Sequence, residues 1–154
     1  DKLAEKGDPS LIPFPRSMKD SLDFSFSGLK TSLLNYLRRR EAPVTGEEMP
    51  HVVAGYQEAI VDVLVEKTLR AAEMNGIRRI VVAGGVAANS RLRDRFRKEG
   101  GKRGMRIFIP PVVLCTDNAA MIAVVGNDLL SRGGRDGFDL NAVSRWPLDS
   151  VGSC

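Results

Sequence analysis

The stretch "VVAGGVAANS", residues 81–90, sets an apolar run against two glycines and closes on an Asn-Ser pair. The run it ends, "IRRIVVAGG", reads as a buried strand. The segment it opens, "NSRLRDRFRKEG", reads as a short helix ended by Gly100. "MRIFIP" then supplies a second strand, stopped by Pro110 and Pro111. Strand, glycine turn, helix and strand make a βαβ unit, so this stretch decides for an α/β fold. In such sheets ligands bind beyond the carboxyl ends of the strands, where the glycine turn lies.

Working outward, "TDNAAMIAVVGNDLLSRG" predicts a helix with Thr116 or Asp117 at its N-cap. Upstream, a long helix is predicted from about Glu47 to Met74. It presents Val52, Val53, Tyr56, Ile60, Val63 and Leu64 on one face and stops at Asn75-Gly76. "GLKTSLLNYLRRR" has helical spacing and ends in arginines that suit the negative helix end. "LDFSFSG" alternates Leu22, Phe24 and Phe26 with polar neighbours, which predicts a strand ended by Gly28. Residues 1–22 and "EAPVTGEE" read as loops, and the tail after Gly133 as irregular around Trp146. The expected order is strand, helix, helix, strand, helix, strand, helix.

The 154 residues suffice for one domain with a core, and 43% hydrophobic with 27% charged residues is ordinary for a globular chain. No apolar run is long enough for a membrane span, and no signal peptide opens the chain. It starts at Asp1 rather than Met, which raises the expectation of a piece of a longer protein. Cys115 and Cys154 are far apart and form no CxxC, a pattern that fits a reducing cytosol. The net charge of +4 is uneven. Arg38, Arg39 and Arg40 form one cluster, and Arg91, Arg93, Arg95, Arg97, Lys98, Lys102, Arg103 and Arg106 another. Each is either a solvated helix face or a surface for a polyanion.

Two turns could carry chemistry. At the first, Gly84 and Gly85 let a ligand approach bare backbone, and either can take positive φ. Asn89 or Ser90 can cap the next helix, whose free N–H groups favour anions. Ala83, Ala87 and Ala88 keep the crevice open. A nucleotide or its phosphates would suit this turn, although it matches neither GxGxxG nor a P-loop and also reads as a plain strand-to-helix turn. At the second, Cys115–Asn118, Asp117 is either a capping carboxylate or a metal ligand. The single histidine, His51, lies within the long helix and reads as packing or surface.

"FSFSGLKTSLLNYL", "VVAGGVAANSRLR" and "CTDNAAMIA" together resemble the carboxyl-terminal part of the tRNA N6-adenosine threonylcarbamoyltransferase family, once labelled a glycoprotease. The motifs occur in family order from Phe24 to Ala123, and "EKGDPSLIPFPRSMKDSLDFSFSG" resembles the family's approach to the first. The resemblance implies part of an actin-like ATPase fold (ASKHA, ribonuclease H-like) with an incomplete second lobe. It places residues 1–133 in the carboxyl-terminal lobe and leaves 134–154 as an irregular tail. It implies transfer of threonylcarbamoyl from threonylcarbamoyl-AMP to N6 of adenosine 37 in tRNAs that read ANN codons. Gly84, Gly85 and Asn89 match the family's nucleotide-binding turn, with Asn89 on the adenylate. Asp117 matches its aspartate ligand to an iron or zinc ion. The implied partners are tRNA and the subunits of the threonylcarbamoyl transfer complex, with no membrane and a cytoplasmic location.

The family's other two metal ligands are histidines of an HxxxH motif, and no HxxxH occurs here. Metal held by Asp117 alone should be weak, and no transfer is expected from this chain by itself. Competing readings are a kinase or ATPase fragment of the same fold, a metalloprotease, and a non-catalytic nucleotide- or RNA-binding lobe. Two further expectations follow. Asn89→Ala should weaken adenylate binding and largely spare the fold. The strand near Phe24–Phe26, without its neighbours, should leave an exposed sheet edge and a marginal fold.

Overall fold

The computed structural model describes residues 1–139 and 141. The chain divides into two compact units, Asp1–Cys115 and Thr116–Cys154. The first holds helices α1 (Phe26–Arg38), α2 (Met49–Met74) and α3 (Ser90–Lys102) and strands β1 (Arg79–Val81) and β2 (Arg106–Phe108). The described part of the second holds α4 (Ala119–Ser131). Beyond 139 the irregular tail assigned to 134–154, with Trp146 and Cys154, lies outside the described residues apart from Asn141.

The α/β reading holds: β1 and β2 pair in parallel, with Arg79, Ile80 and Val81 opposite Arg106, Ile107 and Phe108, and α3 connects them. The helix α2 is the spine of this unit because it is buried on more than one side. Toward its carboxyl end Val61, Val65, Leu69 and Ala72 pack with Ile80, with Leu92 and Phe96 of α3, and with Met105. Leu69 and Val65 are the largest side chains fully withdrawn from water, each contributing roughly 1.5–3 kcal/mol by burial. Toward its amino end Val52 and Ala59 pack with Phe14 and Leu29. The amino-terminal segment reaches α2 by backbone contact. A side chain on Gly55 would sit 2.0 Å from the Ile12 carbonyl oxygen, so that position must stay bare. The long helix ends as expected, with Gly76 at φ 65° and Ile77 N–H donating to the Ala72 carbonyl.

Three expectations are corrected. "LDFSFSG" is no strand: helix α1 already begins at Phe26, and the Phe24 and Phe26 rings stack 5.6 Å apart. The buried Lys67 ammonium lies over Phe24 and donates to the carbonyls of Met18 (2.8 Å) and Asp23. This segment is therefore pinned to α2 rather than paired in a sheet, and the exposed edge expected there does not exist. Gly100 does not end α3, which runs on to Lys102. A side chain at Gly100 would meet Ile107 at 2.6 Å, so this glycine serves helix-to-strand packing, and Gly104 at φ 65° takes the turn. The N-cap of α4 is Asn118, whose Oδ1 accepts from Met121 N–H, and neither Thr116 nor Asp117.

His51 sits on α2, and its Nδ1 accepts from Asp8 N–H at 2.9 Å, a structural role. Among the described residues no helix is long and apolar enough to cross a membrane.

Candidate functional site

The glycine turn follows directly from the end of β1. Val82 N–H donates to the Phe108 carbonyl and closes the strand pair. Gly84 then takes φ 92°, a region that L side chains disfavour. A 3-10 turn over Gly85–Ala88 follows, with Ala87 N–H on the Gly84 carbonyl at 2.9 Å. Gly85 has an ordinary φ, and an added Cβ would meet nothing within 4 Å. The fold of this chain therefore makes no use of the missing side chain at Gly85, and a close-approaching ligand would.

The donors at this turn differ from those expected. Asn89 caps α3 through Oδ1, which accepts from Leu92 N–H at 2.9 Å, and its Nδ2 donates to Gln57 Oε1 at 2.9 Å. Ser90 N–H and Oγ both bond the Asp1 carboxylate, at 2.9 and 3.0 Å. An internal carboxylate thus already holds the helix end that the sequence offers to an anion. The open donors lie earlier: the N–H groups of Gly84, Gly85 and Val86 have no acceptor among the described residues, and all three residues are exposed. Sequence reasoning missed Val86; the signal was its place as the second residue of a turn too short to satisfy its own first N–H groups.

Arg93 braces the turn from beneath. Its guanidinium donates to the carbonyls of Ala87 (2.9 Å) and Pro110 (2.7 Å) and approaches the buried Cys115 Sγ at 3.5 Å. No carboxylate pairs with it among the described residues, so its charge adds to a positive field under the turn. Beside the turn, at the carboxyl ends of both strands, Val81, Ala83, Ile107, Phe108, Ile109 and Pro110 line an apolar depression of about 480 Å³. Val81 is 72% and Phe108 49% exposed, which leaves flat apolar surface next to the free N–H groups.

The larger basic cluster is mostly neutralised within the fold. Arg91 and Arg95 pair with Glu58, and Arg95 also with Asp62, which in turn holds Arg16. The Arg91 guanidinium and the charges of Arg95 and Arg16 hold the Glu58 carboxyl below its ordinary range, against the opposing effect of burial. Arg103 pairs with Glu66 and Glu73, Lys102 with Glu99 and Arg97 with Asp94. Lys98 and Arg106 alone in this cluster lack a protein partner among the described residues. The solvated-face reading fits these two, and internal bracing accounts for the rest.

Asp117 belongs to the second unit, is exposed and precedes the N-cap of α4. Among the described residues no group of three His, Cys, Asp or Glu side chains could hold a metal ion. One carboxylate does not make an iron or zinc site, so these residues do not fit a complete metal centre.

The chain matches the family model of tRNA N6-adenosine threonylcarbamoyltransferase over residues 1–124. It is 60% identical over 153 residues to a protein of that name from Syntrophus aciditrophicus, an overlap of 99% of this chain and 45% of that protein. Its identity is 50% over 153 residues to the Geobacter metallireducens protein, covering 98% and 45%, and 49% over 144 residues to that of Symbiobacterium thermophilum, covering 93% and 42%. The chain thus spans less than half the length of these relatives.

Proposed function

The chain belongs to the tRNA N6-adenosine threonylcarbamoyltransferase family, and from that premise we propose that it forms the carboxyl-terminal lobe of such a transferase. On this reading residues 1–133 make up the lobe, within an actin-like fold that a further segment completes. The complete enzyme moves threonylcarbamoyl from threonylcarbamoyl-AMP to N6 of adenosine 37 in tRNA. The amine adds to the carbamoyl carbon, the bond to the AMP phosphate oxygen breaks, and the amine proton leaves.

The observation that carries the reading is the conjunction at the glycine turn: three unpaired N–H groups, an unneutralised arginine beneath, and an apolar depression alongside. The purine of the adenylate lies against Val81 and Phe108, and its phosphate accepts from Gly84, Gly85 and Val86 N–H. These dipoles are already oriented where the leaving AMP gains charge, so they stabilise it with little reorganisation. Holding the adenylate in place also makes attack by the amine effectively unimolecular. Asn89 shapes the turn by capping α3 and keeps one amide hydrogen for the ligand. Asp117 offers one carboxylate to an iron or zinc ion whose other ligands come from outside the described residues. tRNA, further subunits of the transfer complex and a cytoplasmic location follow from the same reading.

Split complementation tests it. The chain is mixed with the complementary segment of the Syntrophus aciditrophicus relative, threonylcarbamoyl-AMP and tRNA, and modified adenosine is read by mass spectrometry. Product is expected only when both pieces are present. Adenylate binding with no product under any combination would favour the non-catalytic lobe instead.

A further inference from the structure

We propose that the exposed side of α1 from Gly28 to Arg39 is a docking surface for the phosphodiester backbone of RNA. The inference rests on the transferase reading, which supplies the RNA partner, and it locates where that partner lies on this chain.

From Phe24 to Arg40 the chain has four cations, Lys30, Arg38, Arg39 and Arg40, and no acidic residue. Arg40 is used internally, in a fork to both Glu48 oxygens at 2.6 Å. Lys30, Arg38 and Arg39 are exposed and form no ion pair among the described residues. This separates α1 from α3, whose arginines are largely consumed by acids of α2. Lys30, Arg38 and Arg39 of α1 and its cap thus remain available to an outside polyanion, as do Arg78, Arg79 and Arg106 at the strand pair, and α1 alone adds a groove of uncharged polar groups beside its cations.

The uncharged groups beside Arg39 are of a matching kind. Gly28, Thr31, Ser32, Asn35 and Arg39 recur at helical spacing, and with Pro13 and Phe14 at its other wall they line a groove of about 490 Å³. The Thr31 hydroxyl already donates to the Ser27 carbonyl at 2.9 Å, which leaves the Ser32 hydroxyl and the Asn35 amide beside the Arg39 guanidinium, a set that suits phosphate oxygens. No base-reading pattern is present, so the contact is to the backbone and positions the RNA without reading its sequence.

Fluorescence anisotropy of the 154-residue chain with a labelled RNA hairpin, over a salt series, tests the surface. Arg38→Gln with Arg39→Gln should weaken binding about 10-fold and reduce the slope of log affinity against log salt by between one and two. Restoring charge with Arg38→Lys and Arg39→Lys should recover most of the slope. Ser32→Ala with Asn35→Ala should weaken binding about 3-fold with the slope unchanged. Circular dichroism of each variant confirms that it is folded. The proposal is overturned if the glutamine pair binds as wild type, if Lys98→Gln with Arg106→Gln has the larger effect, if polyglutamate competes as well as unlabelled RNA, or if the chain binds no RNA. Calorimetry with AMP separates the two claims: AMP binding without RNA binding spares the transferase reading alone, and RNA binding at α1 without AMP binding spares this surface alone.

Discussion

Asn89 Nδ2 lies 2.9 Å from Gln57 Oε1, so the residue that ends the glycine turn is tied through its amide to the middle of α2. Its other amide atom caps α3. Sequence reasoning expects Asn89→Ala to spare the fold; the structure gives the residue two structural bonds. Asn89→Ala should therefore cost about 1 kcal/mol through the lost cap, a fall in Tm of roughly 4 °C. Asn89→Asp keeps the cap acceptor and loses only the bond to Gln57, so its Tm should lie between. Thermal melts of the three proteins check the order, and calorimetry with AMP at a temperature where all are folded separates binding from stability.

Gly84 and Gly85 should part company on substitution. Alanine at Gly84 meets φ 92° with ψ 169°, a region essentially reserved for glycine, at a strain of about 1–3 kcal/mol. Alanine at Gly85 meets open space and ordinary backbone, so stability should stay within about 0.5 kcal/mol. The new methyl would stand where the adenylate approaches, so Gly85→Ala should lose AMP affinity with its Tm unchanged. Equal AMP affinity for Gly85→Ala and wild type would remove the ligand from this turn.

Much of this was legible in the sequence where one local rule governed. Apolar periodicity exposed α2, Asn75-Gly76 its end, and the paired glycines the turn with positive φ. "LDFSFSG" misled because three alternating apolar residues also satisfy another pattern: Phe26, Leu29 and Leu33 recur at helical spacing, and that period won once Lys67 pinned the preceding loop. The internal pairing of the basic cluster had a readable signal in Glu58, Asp62 and Glu66, one helical turn apart on α2. The bonds of Asn89 to Gln57 and of Ser90 to Asp1 span 32 and 89 residues, and no local pattern encodes such a separation.

The Glu58 bridge makes a pH prediction. Glu58 is 11% exposed and accepts from both Arg91 and Arg95. Its carboxyl titrates lower in the folded chain than its ordinary value of 4.5, chiefly through the Arg91 hydrogen bond. A depressed carboxylate contributes stability above its unfolded value and loses it as pH falls through the folded one. Stability should thus decline in acid below about pH 4.5. Glu58→Gln removes the titration and leaves two arginines short of a counter-charge. It should cost about 2 kcal/mol near pH 7, discounted from fully buried pairs because Arg91 is partly solvated. Urea denaturation of both proteins across this range checks it: the gap should narrow toward acid, and a constant gap would mean that Glu58 ionisation does not support the fold.

Asp117 and Asn118 stand side by side with separate roles, and the pair gives the last prediction. Asn118 Oδ1 accepts Met121 N–H at 3.1 Å and caps α4, while Asp117 makes no such bond and is exposed. Asn118→Ala should destabilise α4 by about 1 kcal/mol, seen as faster amide exchange at its first turn, and Asp117→Ala should leave that exchange unchanged. For metal the order reverses. With a single carboxylate and no companion ligand among the described residues, the chain alone should retain well under one iron or zinc ion after desalting. Mixed with the complementary segment of a relative, it should hold one metal ion, and Asp117→Ala should lower that content while Asn118→Ala should not. Elemental analysis of the four preparations decides the matter. Full occupancy in the Asp117→Ala complex would take the aspartate out of the metal site, and full occupancy of the chain alone would mean that ligands outside the described residues complete a site within it.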